Sequence, residues 1–254
     1  MNRTDLALER NTNGISLKES SIDGILLTEV TISGKQYTTM HSGVMRDAAN
    51  EAGVLTGILK QFVPRDGKVL VAGLGNANIT PDSLGVRTVR QVVATAHLSV
   101  TEDFRDLGMR PVYVTETGVL AQTGMESSEQ LRFITGGIKP GMVIVIDSLA
   151  CSEPERLGRT IQLTDSGIAP GSGVGNSRCE ISRETLGTDV VAVGVPTVID
   201  LSSLCPGIDK KHEAMVVPRD IDAIITHYVK VISTALNRVL IPSLSDNEVE
   251  KLRF

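Results

Sequence analysis

The stretch VLVAGLGNANITPDSLG, residues 69–85, is the part of the sequence that most strongly indicates the fold. An apolar run enters Gly73-Leu74-Gly75, as the first strand of a dinucleotide-binding fold does, but the third glycine of that fingerprint is absent. No acidic residue closes a second strand about twenty residues on, where ribose binding would need one. The stretch therefore predicts a buried strand, a sharp turn and a helix, and it argues against a nucleotide site.

Strands and helices alternate through most of the chain. Apolar segments predict strands at 68–73, 110–115, 141–147, 160–165 and 190–196, and helices are predicted at 47–63, 81–97, 127–138 and 218–240. Residues 25–33 alternate and then meet Gly34-Lys35, which predicts a hairpin. Apolar strands that alternate with helices are typical of a mostly parallel sheet with helices on both faces. We therefore expect a single α/β domain over residues 1–254.

The amino-acid composition argues against several classes of function. The chain has 254 residues, a net charge of −5, 3% aromatic residues and no tryptophan, which argues against a nucleic-acid partner. No apolar run approaches the roughly 20 residues of a membrane span, and the first residues lack the apolar core of a secretory signal. Cys151, Cys179 and Cys205 are odd in number and widely spaced, so we expect reduced thiols in a cytoplasmic protein.

Four aspartates stand where predicted strands end. Asp147 closes VIVID, Asp165 closes IQLTD, Asp200 follows GVPTVI, and Asp82 lies just past GLGNANI. Ligands of an open parallel sheet bind beyond the carboxyl ends of its strands, so these carboxylates are placed to converge on one edge. A single aspartate in such a position can also cap a loop or the next helix.

Asp82 and Asp147 differ in their expected surroundings. Thr80 fits a helix N-cap and Pro81 the first helical position, which puts Asp82 in the first turn, where the helix dipole favours its anion. Asp147 follows five apolar residues, so burial favours its protonated form. If the two lie close together, repulsion separates their pKa values further. Such a pair can activate a water and protonate a leaving nitrogen, with Asp82 as the base.

A second glycine-rich segment, TDSGIAPGSGVGN (164–176), is a candidate anion-binding loop. Gly171, Gly173 and Gly175 allow close backbone approach with exposed N–H groups. No Gly-Lys-Ser/Thr follows, so it is not a P-loop. It is not a nucleophile elbow either, because Pro170 and Val174, and not glycines, stand two residues before and after Ser172. A tight structural crossover is an equally open interpretation. The four histidines lie far apart with no HExxH, and no metal site is predicted.

Several ordered motifs resemble the spore germination protease family. They are RTDLALE (3–9), GLGNANITPDSLG (73–85), HL (97–98), TGMES (123–127), IDSLA (146–150), TIQLTDSGIAPGSGVGN (160–176), GVPTVID (194–200) and a weaker C-terminal segment at 214–237. The resemblance implies an α/β fold akin to hydrogenase-maturation proteases. It also implies an endopeptidase, with no cofactor, that degrades small acid-soluble spore proteins in the cytoplasm of the forespore.

The resemblance also assigns roles at the predicted strand ends. The two essential aspartates of the family carry over to Asp82 and Asp147, which leaves Asp165 and Asp200 in supporting roles. The glycine loop 171–175 would then line the cleft or stabilise the oxyanion.

Self-processing is a further implication of the resemblance. The family is made as a zymogen, usually tetrameric, that removes its own prosegment after an acidic residue followed by an apolar residue and alanine. The run Thr4-Asp5-Leu6-Ala7 fits this pattern. We therefore expect self-cleavage between Asp5 and Leu6, with residues 1–5 as a short prosegment, in a homo-oligomer.

Some family features are altered in this chain. The long charged insert before the last helix is almost absent, and Ala96 and Ala169 stand where the family usually has arginine and histidine. These differences bear on substrate range, zymogen control and assembly more than on the chemistry. Two alternatives stay open: a protease like the hydrogenase-maturation enzymes that uses its carboxylates with a metal, and a non-catalytic binding homologue.

Overall fold

One sheet organises the part of the chain that the computed structural model describes, which is residues 4–9, 15–43, 45, 47–175, 178–205 and 214–252. Within these residues it has nine strands: β1 Leu17–Ile22, β2 Ile25–Ile32, β3 Lys35–His41, β4 Val69–Gly73, β5 Val112–Glu116, β6 Met142–Cys151, β7 Thr160–Thr164, β8 Asp189–Asp200 and β9 Met215–Val216. Their order across the sheet is β1-β2-β3-β7-β8-β6-β4-β5, and β9 pairs with β8.

The sheet has a parallel half and an antiparallel half. β8, β6, β4 and β5 pair in parallel. β1, β2, β3 and β7 pair antiparallel with one another, and β7 joins β8 in the same sense. The predicted hairpin is confirmed as β2–β3, and Ser33 and Gly34 both adopt the positive φ that a tight turn between twisted strands needs.

Helices cover both faces of the sheet. They are α1 Ala48–Phe62, α2 Leu84–Val89, α3 Glu102–Asp106, α4 Leu120–Thr123, α5 Ser127–Ile138, α6 Arg183–Leu186, α7 Leu201–Leu204, α8 Ile221–Leu240 and α9 Asp246–Lys251. Alternate residues of β4 serve the two faces, because Val69 and Val71 pack in the cluster with α1 and α8, whereas Leu70 and Ala72 pack with Leu131 of α5. The predicted α/β class with helices on both faces is confirmed.

The predicted helix at 81–97 is wrong in extent. A single 3-10 turn at Thr80–Asp82 precedes α2, which ends at Val89. Beyond it, Thr95 binds the edge of the sheet: its backbone N–H donates to the carbonyl oxygen of Val112 at 3.0 Å, and its hydroxyl donates to that of Arg110 at 2.6 Å. These tertiary hydrogen bonds replace the helical ones, so the chain leaves the helix early.

Candidate active site

A cavity of about 350 Å³ opens where β6 extends past the end of β4. Gly73, the last residue of β4, pairs with Ile146 of β6. Asp147 is therefore the first residue of β6 that extends beyond the end of β4. Asp82, from the turn after β4, and Asp5, from the N-terminal part of the chain, line the same cavity. This is the region beyond the strand ends where open α/β sheets bind ligands.

Two glycines allow the turn after β4 to pack closely against the sheet. A Cβ on Gly85 would overlap the carbonyl oxygens of Ile146 and Leu74, so the start of α2 lies directly on the backbone of β6 and β4. Gly75 has a φ of +103°, and a Cβ there would overlap the carbonyl oxygen of Asp82. Only glycine permits these approaches. The glycine pattern of residues 69–85 therefore brings Asp82 beside β6 and does not form a nucleotide loop.

Asp82 occupies the end of the 3-10 turn. The prediction that Thr80 caps a helix is wrong, because Ile79 stands at the N-cap without a side-chain cap and the Ser83 hydroxyl donates to the Thr80 carbonyl oxygen at 2.8 Å. Burial outweighs the hydrogen bond from the Asn76 N–H and raises the pKa of Asp82 from 3.8 to about 6. The expectation that a helix start favours its anion is therefore wrong in direction: a single short turn carries little dipole, and desolvation dominates.

Asp147 is buried, with 6% of its surface exposed. The Ser148 N–H donates to its Oδ1 at 2.8 Å. Burial raises the pKa of Asp147 well above its usual range, and the negative charges of Asp82 and Asp5 raise it further. The expected direction of this pKa is confirmed. The cavity thus holds one carboxyl with a pKa of about 6 and a second whose pKa is raised well above its usual range.

The glycine loop binds a carboxylate of the chain itself. The Ser172 hydroxyl and the Gly173 N–H donate to Oδ1 of Asp5, the latter at 2.8 Å. The Ala150 N–H donates to Oδ2 at 2.8 Å. We call these three donors the Asp5 site. Their arrangement has the features of an anion-binding nest, in which main-chain N–H groups converge on one acidic group.

Residues 4–9, which we call the N-terminal segment, lie against the sheet beside this cavity. Leu6 is 1% exposed and packs in an apolar cluster with Leu149, Cys151 and Ile199. Gln162 of β7 bonds the backbone on both sides of it: its Oε1 accepts from the Ala7 N–H at 2.7 Å, and its Nε2 donates to the Asp5 carbonyl oxygen at 3.3 Å. Sequence reasoning missed Gln162, although a lone amide inside the apolar strand TIQLT was an available signal.

The other predicted site residues are spread around the cavity. Gly171 and Gly175 bound the 3-10 turn of the glycine loop with φ of +74° and +75°, and Gly171 lines the cavity. Asp165 accepts a hydrogen bond at 2.8 Å from a backbone N–H next to it on β3. Asp200 accepts from the first turn of α7 at 2.8 Å and caps that helix. Of the four strand-end aspartates, Asp82 and Asp147 are the two that line the described cavity.

Histidines and metal ligands contribute no separate site among the described residues. His41 bonds the Thr28 hydroxyl at 3.0 Å, and His227 bonds buried Glu51 at 2.8 Å. Within the described residues, no three His, Cys, Asp or Glu side chains are grouped to hold a metal ion. None of the helices found there is long and apolar enough to span a membrane.

Comparison with known proteins places the chain among germination proteases. The model of the germination protease family matches residues 2–210. A germination protease from Caldanaerobacter subterraneus subsp. tengcongensis is 34% identical, over 98% of this chain and 97% of the relative. Another from Clostridium perfringens is 33% identical, over 87% and 80% of the two chains. One from Bacillus cereus is 39% identical, over 80% of this chain and 64% of the relative.

A solved structure also shows some likeness to the chain. The crystal structure of a nickel–iron hydrogenase maturation protease, HycI, from Thermococcus kodakarensis is 17% identical in sequence. It superimposes with a TM-score of 0.41 and covers 70% of this chain and 98% of its own.

Proposed function

The chain belongs to the germination protease family and is a peptidase, and from this premise we propose that Asp82 and Asp147 are its catalytic pair. The observation that carries the proposal is their shared cavity, in which both pKa values are raised but to different extents. Two carboxyls whose surroundings separate their titrations are the usual basis for assigning a general base and a general acid.

The two roles follow from the two pKa values. Near neutral pH, Asp82 is ionised and takes a proton from a water, whose oxygen attacks the peptide carbonyl carbon. Asp147 is protonated and gives its proton to the peptide nitrogen as the C–N bond breaks. Passage of the proton from Asp82 to Asp147 after product release restores the starting state. Each proton transfer of this kind contributes about 10²–10⁴-fold to the rate.

The proposed substrates are small acid-soluble spore proteins, cut by this endopeptidase during germination in the cytoplasm of the spore. They would bind beside the glycine loop, where the Asp5 site already accommodates an acidic side chain. The same chemistry would cut the chain between Asp5 and Leu6, so that it acts as a self-processing zymogen with a five-residue prosegment. We further propose that the active form is a homo-oligomer of single α/β peptidase domains and works without a cofactor.

Cleavage of a purified acid-soluble spore protein tests the catalytic pair. Wild-type protein should release fragments, while Asp82→Asn and Asp147→Asn should each lose at least about 10²-fold in rate. Asp165→Asn is the matched control, because this strand-end aspartate bonds the β3 backbone outside the cavity and should keep most of the activity. Cleavage at the wild-type rate by either variant of the pair would falsify the assignment. Binding without cleavage by the wild type would instead support a non-catalytic homologue.

A further inference from the structure

Strand β8 contains one residue more than its neighbour β6 where the two strands pass the cavity. Leu149 of β6 pairs with Pro196, and Ala150 pairs with Val198. Thr197 stands between these two pairs and is left without a partner on β6. An extra residue of this kind is a β-bulge, which bends the strand and redirects its side chains. Pro196 fits this place, because a proline inside a sheet is confined to edges, strand starts and bulges.

The bulge changes the apolar cluster into which β8 packs. Before it, Val195 packs in the cluster with α1 and α8. After it, Ile199 packs in the separate cluster of Leu149 and the N-terminal segment. Residues four apart lie on one face of an unbroken strand, so Ile199 would otherwise join Val195. The extra residue therefore turns the strand at this point, and Thr197 and Val198 both line the cavity.

The side chain at the bulge bonds the turn that carries Asp82. The Thr197 hydroxyl donates to the Pro81 carbonyl oxygen at 2.7 Å, and Thr197 is 1% exposed. Pro81 directly precedes Asp82 in the 3-10 turn. The other hydrogen bonds that the structure describes for this turn come from its neighbours along the chain. The bond from Thr197 therefore connects the turn to a different strand of the sheet.

We propose that Thr197 is a positioning residue, whose hydroxyl fixes the place of the Asp82 carboxyl relative to Asp147. The inference rests on the proposed function, because it takes Asp82 and Asp147 to act on one peptide bond. Asp147 pairs with Gly194 of β8, so it belongs to the same pair of strands as the bulge. Asp82 belongs to a short turn that has no side-chain cap. A displacement of about 1 Å between reacting groups can cost about 10²-fold in rate.

Direct contact with the substrate and a purely structural role are the competing explanations for this hydroxyl. Loss of a substrate contact that is made equally in the ground state and the transition state raises KM and leaves kcat unchanged. Loss of a purely structural hydrogen bond lowers stability and leaves both constants of the folded enzyme unchanged. Loss of a positioning contact lowers kcat, because the reacting groups are then misplaced in the complex with substrate.

Substitutions that remove or keep the hydroxyl provide the measurement, with a purified acid-soluble spore protein as substrate. Thr197→Val replaces the hydroxyl by a methyl group and should lower kcat about tenfold or more, with KM within about twofold of the wild type. Thr197→Ser keeps the hydroxyl and should retain kcat within about threefold. Thr197→Ala should be as slow as Thr197→Val. The comparison of serine with alanine decides the same question if the valine variant does not fold.

Thr95→Val is the matched control, because Thr95 is also 1% exposed and its hydroxyl donates to the Arg110 carbonyl oxygen at 2.6 Å, away from the cavity. It should lose stability and keep the wild-type kcat. A wild-type kcat in Thr197→Val would overturn the inference, whether or not KM rises. So would a Thr197→Ser enzyme as slow as Thr197→Ala, since the hydroxyl would then not be the group that matters.

Carbon-detected NMR titration of the Asp82 carboxyl separates failure of this inference from failure of the proposed function. Burial raises the pKa of Asp82 to about 6, so a turn released by Thr197→Val or Thr197→Ala should admit water and lower that pKa towards its usual value. Thr95→Val should leave it unchanged. An unchanged Asp82 titration in the Thr197 variants would overturn the inference. If the wild-type protein cleaves no spore protein, the proposed function fails, while this titration still decides whether Thr197 positions Asp82.

Discussion

The Asp5 carboxylate lies in the cavity of Asp147, near enough for its negative charge to raise the pKa of the Asp147 carboxyl. Asp5 belongs to the N-terminal segment and Asp147 to strand β6. Ala150, three positions after Asp147, connects them because its N–H donates to the Asp5 carboxylate. The chain thus fills part of its own cleft with an acidic side chain. That side chain favours the protonated form that we assign to the general acid.

Replacement of Asp5 should lower the pKa of Asp147. Asp5→Asn removes one of the two negative charges that act on Asp147, so less work is needed to ionise it. Carbon-detected NMR titration of aspartate carboxyls should show the Asp147 resonance titrating at lower pH than in the wild type. Glu9→Gln is the control, since Glu9 is not among the charges that act on Asp147. An unchanged Asp147 titration in Asp5→Asn would contradict this electrostatic link.

The rate of peptide cleavage should have a bell-shaped dependence on pH. Asp82 must be ionised to act as a base, so kcat/KM should rise with pH through an apparent pKa of about 6. Asp147 must hold its proton to act as an acid, so kcat/KM should fall again at higher pH, above the ionisation of Asp82. A profile from pH 4 to 9 on a soluble peptide measures both limbs. A rate that is already maximal at pH 4 would exclude Asp82 as the base.

Asp147→Asn should stabilise the protein while it abolishes cleavage. Burial raises the pKa of Asp147 in the folded wild type, whereas in the unfolded chain this carboxyl ionises near pH 4. Stability therefore falls as pH rises above that value, because the unfolded chain then binds fewer protons than the folded one. Asparagine carries no such penalty. The melting temperature of Asp147→Asn should therefore exceed that of the wild type by a few degrees at pH 7. In a domain of this size, a stability change of about 1 kcal/mol corresponds to about 2–4 °C.

The gain should be absent near pH 3, where both states of the wild type are protonated. Asp222→Asn, an exposed position on α8, serves as the control and should follow the wild type across the pH range. If Asp147→Asn is less stable than the wild type by the same amount at pH 7 and at pH 3, burial of this carboxyl does not reduce the stability of the wild type.

Self-cleavage should leave Leu6 as the new N-terminus. The Asp5 carbonyl that would be attacked is bonded by Gln162 beside the cavity, and its side chain is held in the Asp5 site. Intact mass spectrometry of aged or mildly acidified protein should show loss of residues 1–5, and Asp147→Asn should stay intact under the same conditions. Appearance of activity in protein that still begins at Met1 would refute processing as the activating step.

Gly85→Ala should destabilise the protein by about 3 kcal/mol or more, because the new methyl group overlaps backbone atoms of Ile146 in β6 and of Leu74 just after β4. Backbone atoms held in the sheet cannot move aside individually. Gly57→Ala is the matched control at an exposed position of α1, where no atom lies within 4 Å of the new methyl group. It should stabilise the helix by about 0.5–1 kcal/mol. Urea unfolding of both variants gives the comparison, and similar stability of the two would exclude a tight contact at Gly85.

Local sequence patterns predicted much of the fold and part of the site. The five strands predicted from residue 68 onward correspond to β4 to β8, and the helix predicted at 127–138 is α5. These predictions succeed because the spacing of apolar residues within each segment indicates its secondary structure. The end of α2 was not predictable in this way, since Thr95 binds the carbonyl groups of Arg110 and Val112, which lie more than a dozen residues away at the start of β5. The sequence identified four strand-end aspartates as candidates. Which two line the cavity and which two bond neighbouring backbone depends on the loops that pack together in the folded chain.

The sequence by itself determined the order of strands and helices, the close turn after β4 and membership of the family, because each depends on residues that are neighbours along the chain. Only the tertiary structure decided that burial raises the pKa of Asp82, and that Ser172 holds a carboxylate 167 positions away. Desolvation and charge depend on what surrounds a group in space. The surroundings of Asp82 and Asp147 come from several separate parts of the chain, and folding alone brings them together.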